Sequence, residues 1–133
     1  MISIKVLGQC TVAAICLIAM GCSRAQPTVI HLIDKTQQSE TERYVLVNEI
    51  PIAKSDYNLV GGAVSRTSIF GPNYRCFDPG FAIDFSDGIR YYVCLDCRKI
   101  GWAKIWAPSI VHVSKLSDRG EMELKLVYST YFK

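Results

Sequence analysis

Three cysteines and one histidine in the second half of the chain are the side chains whose types and spacing can do chemistry: Cys76, Cys94, Cys97 and His112. Cys94 and Cys97 form a Cys-x-x-Cys. Oxidised, two of the three thiols make a disulfide and leave the third free. Deprotonated, Cys76, Cys94, Cys97 and His112 make a four-ligand zinc set of reasonable chemistry, with a knuckle-like Cys-x-x-Cys. With a lowered thiol pKa, Cys94 and Cys97 make a redox couple, but that chemistry wants the first cysteine at a helix amino terminus. Here Gly101 follows too soon after Cys97 for a helix, and no βαβ pattern surrounds the motif.

The neighbouring elements select among these pairings. Phe81–Phe85 alternates apolar residues with Ala82 and Asp84, and Ile89–Leu95 is rich in strand formers. Asp87-Gly88 between them is the strongest hairpin turn in the chain. A two-residue loop there sets Phe81 against Cys94, Ile83 against Tyr92 and Phe85 against Arg90. That register sends Cys94 into the core as a small hydrophobe. Cys76 and Cys97 become diagonal neighbours, with the Asp78-Pro79-Gly80 bend to close the gap. The expectation is therefore a Cys76–Cys97 bridge, contributing roughly 3 kcal/mol by chain entropy. Cys76–Cys94 is the alternative if the turn shifts the register by one.

Elsewhere the chemistry is thin. His31 and His112 alternate within apolar stretches and read as packing residues. Asp84, Asp87 and Asp96 fit strand exteriors and the turn. Trp102 and Trp106 fit a core better than a partner-binding patch. No Gly-rich phosphate loop, catalytic carboxylate pair or Gly-x-Ser-x-Gly elbow is present. The expectation is no enzymatic activity and no cofactor beyond a covalent lipid.

The amino terminus speaks of a membrane. Lys5 is the only charge before Arg24, and Val6–Met20 holds 12 apolar residues out of 15. These are the marks of a secretory leader over residues 1–21. Ala19-Met20-Gly21-Cys22 resembles the bacterial lipobox. The resemblance implies that the Cys22 thiol takes a diacylglyceryl group, that the leader is cut before it, and that the new amino terminus is acylated. Two or three acyl chains on one residue hold a protein where one chain does so only marginally. The competing reading is a membrane helix, but the uncharged run Val6–Ser23 is barely the roughly 20 residues a span needs. By resemblance to Gram-negative lipoproteins, the non-acidic Ser23 implies delivery to the outer membrane. The inner membrane and a free periplasmic form are the alternatives.

Export changes the cysteine count. Cys10 and Cys16 leave with the leader and Cys22 is consumed by lipid. An oxidising space then favours a disulfide over zinc for the remaining three. Without residues 1–21 the chain keeps 112 residues, with 14 basic and 12 acidic side chains well interspersed. That suits one domain and gives nucleic acid no electrostatic footprint.

Residues 22–28 read as the lipidated cysteine and a tether, and 29–133 as one domain. Val29–Ile33, Tyr44–Val47, Val64–Phe70, Phe81–Phe85, Ile89–Leu95 and Ile110–Val113 are strand candidates. Pro51 marks an edge or bend. Ile100–Trp106 suits strand or helix. Met122, Leu124, Leu126 and Tyr128 alternate with Glu121, Glu123, Lys125 and Val127, which predicts a half-buried strand. The expected fold is mainly β, a small antiparallel sheet or sandwich with at most one or two short helices. An α+β arrangement is the alternative.

Cys76-Phe77-Asp78-Pro79-Gly80-Phe81-Ala82-Ile83, then Asp87-Gly88, then Tyr92-Val93-Cys94-Leu95-Asp96-Cys97 resembles a group of small bacterial exported proteins and lipoproteins of unknown function. Their shared core reads Cys-Phe-x-Pro-x-x-x-Ile before a strand entering Cys-x-x-Cys. The likeness spans Tyr74 to Lys99. An Arg-His pair often follows the proline in that group, whereas Gly80 and Phe81 stand here. The likeness implies an exported setting and no activity. The expected role is a non-enzymatic envelope lipoprotein that binds a protein partner or stabilises the envelope. The second expectation is a thiol or metal protein of the same compartment.

Overall fold

The computed structural model describes residues 25–36, 44–66 and 77–133. The leader, Cys22, Cys76 and most of the Val64–Phe70 segment lie outside the described residues.

Six strands form one antiparallel sheet: β1 (Pro27–Ile33), β2 (Leu46–Pro51), β3 (Phe81–Phe85), β4 (Ile89–Cys94), β5 (Lys99–Lys104) and β6 (Ala107–Lys115). Their order is β2-β1-β3-β4-β5-β6. Two helices, α1 (Tyr57–Ser65) and α2 (Asp118–Tyr131), pack on each other. The fold is mainly β, as the alternation predicts. Pro51 does sit in a terminal strand of the order, where a missing N–H is tolerated. β1 begins at the buried Pro27, two residues earlier than expected.

One sheet face carries the main core. Ile30, Phe81, Ile83, Phe85, Val93 and Ile100 meet Val60, Ala63 and Val64 of α1 and Leu124 and Val127 of α2. The opposite face holds a smaller cluster of Ile33, Ala82, Tyr92 and Ala103, flanked by Tyr44, Phe77 and Ile110. β3 is covered on both faces, which is why all five of its residues are buried.

The β3–β4 hairpin differs from the expected register by one. Phe81 pairs with Val93, Ala82 with Tyr92, Ile83 with Tyr91 and Asp84 with Arg90. The Gly88 N–H donates to the Phe85 carbonyl at 3.1 Å, and Gly88 has φ +85°. This is a three-residue loop closed by a left-handed glycine rather than a two-residue loop. A shift of one flips every side chain. Cys94 therefore lies on the face away from the helices, buried there rather than among Phe81, Ile83 and Phe85.

The carboxyl-terminal segment is helix, not strand. The buried positions of α2 are Gly120, Leu124 and Val127, a helical stripe. Met122 and Leu126, half of the expected strand face, are 64% and 54% exposed. Ser117 caps the helix by accepting from the Gly120 N–H at 3.0 Å. Asp118 and Glu121 in the first turn suit the helix dipole. α1 likewise runs through Gly61-Gly62. Burial of Val60, Ala63 and Val64 outweighs the glycine propensity cost.

Candidate functional site

The face away from the helices carries a charged cluster. Asp84 of β3 sits between His31 of β1 and Arg90 of β4. His31 pairs with Ala82 and Asp84 with Arg90 in the sheet registers, so strand pairing alone brings the three together. His31 Nε2 lies 3.1 Å from Asp84 Oδ2. Arg90 reaches the same carboxylate with Nε at 2.5 Å from Oδ1 and Nη2 at 3.0 Å from Oδ2. The three side chains are 8%, 12% and 12% exposed.

Burial alone would raise the Asp84 pKa, but hydrogen bonds from Arg90 and His31 outweigh it and hold the carboxyl below its usual range. Burial would likewise lower the Arg90 pKa, and the bonds to Asp84 and Tyr92 drive it upward instead. Asp84 is thus an acceptor only, so His31 Nε2 carries the proton between them. The cluster is an ionised, oriented set that presents a guanidinium and an imidazole.

It floors a cleft of about 660 Å³. Val45, Leu46, Val47 and Ile105 give apolar walls, and Asn48 and Glu49 are polar and exposed. Asn48 has φ 53°, in the left-handed region that asparagine tolerates, beside the irregularity between Ile30 and Leu32 in the β1–β2 ladder. Apolar walls with a few convergent polar groups are the ordinary make-up of a binding cleft.

The second feature is a disulfide, but not the expected one. Cys94 bonds Cys97, with Cα atoms 5.6 Å apart. The chain turns back after β4, the Arg98 N–H donates to the Leu95 carbonyl, and Arg98 takes φ 58°. The Cys97 N–H points at Cys94 Sγ, 3.3 Å away. That tight turn pairs the two cysteines locally. It takes the cysteine that each expected bridge needs, Cys97 for Cys76–Cys97 and Cys94 for Cys76–Cys94. Cys76 itself lies outside the described residues.

Among the described residues, Cys94, Cys97 and His112 are not brought together as zinc ligands. The two sulfurs are bonded to each other. His112 pairs with Trp102 on β5, whose next partner Tyr91 packs against the helix-side core, opposite to Cys94. Of the tryptophans, Trp102 is half-buried, whereas Trp106 is 69% exposed at the β5–β6 turn.

Sequence reasoning missed the His31–Asp84–Arg90 cluster. The signal was a lone carboxylate inside Phe81-Ala82-Ile83-Asp84-Phe85. The two-residue turn set Arg90 against Phe85, and the true register sets it against Asp84. No family model matches the chain, and neither a curated protein nor a solved structure matches it.

Proposed function

We propose that this chain is a lipid-anchored envelope protein whose small β domain works by binding rather than by catalysis. The observation that carries the reading is the Cys94–Cys97 disulfide, the state that thiols adopt outside the reducing cytoplasm. It agrees with the leader and with Ala19-Met20-Gly21-Cys22. The cleft over His31 and Arg90 supports a binding role, since its charges are already paired and oriented. By the Ser23 resemblance, the anchor is assigned to the outer membrane.

Labelling cells with palmitate and partitioning the protein into detergent tests this. The wild-type chain is expected to take label and enter the detergent phase. Cys22→Ser is expected to lose the label and keep its leader. A wild-type chain that takes no label contradicts the reading.

A second reading is a thiol-redox protein, favoured by the bridge lying within Cys94-Leu95-Asp96-Cys97 with Cys97 only half-buried. Equilibration in glutathione buffers separates the two. A bridge that stays oxidised across the glutathione range is structural, and one that opens within it is redox-active.

A further inference from the structure

We infer that the Ile105–Trp106 turn is a membrane-contact site, with the Trp106 indole seated in the headgroup layer of the bilayer that holds the Cys22 lipid. This rests on the lipid-anchor reading and deepens it.

The strand directions put the chain's entry and this turn at one end of the sheet. Pro27 pairs with Phe85 at the start of β1, and Lys104 pairs with both Ile89 and Ala107. Gln26 is stitched to the β3–β4 turn: its N–H donates to Ser86 Oγ at 2.9 Å, and the Ser86 N–H donates to the Gln26 carbonyl at 2.8 Å. That turn in turn holds the next one, because the Ile105 N–H donates to the Gly88 carbonyl at 2.9 Å. A Cβ on Gly88 would lie 2.3 Å from the Trp106 ring, so the indole rests directly on the turn backbone. The Cys94–Cys97 bridge lies at the other end of the same strands.

The reach is short. Cys22 is three residues before Ala25, which is already packed against the core. Three extended residues span at most about 11 Å. A lipid on Cys22 therefore keeps this end of the domain within that distance of the headgroups.

The exposed groups suit that layer. Trp106 is 69% and Ile105 36% exposed. Tryptophan prefers the membrane interface, where its ring is part apolar and its N–H stays wet. Lys104 Nζ sits 5.7 Å from the Trp106 ring centroid and suits anionic headgroups. Asp87 is an acidic group of the same end, and its carboxylate accepts the Ile89 N–H at 3.1 Å.

The test uses the full lipidated chain, purified from the envelope and reconstituted in vesicles of phosphatidylethanolamine and phosphatidylglycerol. Trp102→Phe leaves Trp106 as the sole tryptophan. With brominated lipids, Trp106 is expected to shift to the blue and lose most of its emission, while iodide in the buffer barely quenches it. If Trp102→Phe does not fold, the difference between wild type and Trp106→Phe reports the same signal. A palmitate-labelled, vesicle-bound chain whose Trp106 is quenched by iodide and not by bromine overturns the inference and leaves the anchor standing. A chain with no label that floats free of vesicles overturns both.

Discussion

Arg90 grips Asp84 across the β3–β4 hairpin with two nitrogens, on a sheet face where each side chain is only 12% exposed. A buried pair of this kind contributes little net stability, because desolvation offsets attraction. Its loss on one side is costly, because the Asp84 carboxylate stays buried with only His31 beside it. Arg90→Ala is expected to destabilise the domain by about 3–5 kcal/mol in urea unfolding. The double variant Asp84→Leu, Arg90→Met is expected to lose less than either single one. A single-variant loss below about 1 kcal/mol, the level of an exposed ion pair, contradicts this account of the cluster.

The same cluster sets an acid limit. The folded Asp84 pKa lies below its unfolded value of about 3.9. Its contribution is then full above about pH 4 and is lost as pH falls through the folded pKa. Thermal midpoints taken from neutral pH downward are expected to drop more steeply below about pH 4 for wild type than for Asp84→Asn. Parallel curves would show that Asp84 is not the titrating group.

Gly120 gives a test in which packing opposes propensity. Helix propensity alone makes Gly→Ala stabilising by about 1 kcal/mol. Here the added Cβ would meet the Arg66 carbonyl oxygen at 2.7 Å and Ser117 Oγ at 3.2 Å. Gly120→Ala is expected to destabilise, by about 1–3 kcal/mol. Ser117→Ala, which removes the cap, is expected to cost about 1 kcal/mol, and Ser117→Asp to restore it. Urea midpoints for the three variants check both points, and a more stable Gly120→Ala contradicts the close approach.

Thiol mapping checks the bridge. The mature chain, denatured without reductant and alkylated, is expected to carry one label, on Cys76. After reduction, Cys94 and Cys97 label as well. A loop this short contributes only about 2 kcal/mol by chain entropy, less than the Cys76–Cys97 loop would. Label on Cys94 or Cys97 before reduction contradicts the pairing.

Strand identity was largely legible in the sequence, because period-two alternation and turn residues are local. Phe81–Phe85, the turn at Asp87-Gly88 and the terminal placement of Pro51 all follow from it. Register was not legible, because one extra residue in a turn costs little and yet exchanges the two faces. That single residue hid the Asp84–Arg90 pair and misplaced Cys94. α2 is not legible as a helix because residues 122–128 carry both periods at once. The cap at Ser117 and the stripe Gly120, Leu124, Val127 decide for helix only once α1 and the sheet supply something to bury against.

Mass spectrometry of the amino-terminal peptide of the protein purified from membranes tests the anchor most directly. The expected peptide begins at Cys22 and carries diacylglyceryl and amide-linked acyl mass. A peptide that runs unbroken through Met20-Gly21-Cys22-Ser23, with a free thiol at Cys22, would contradict it.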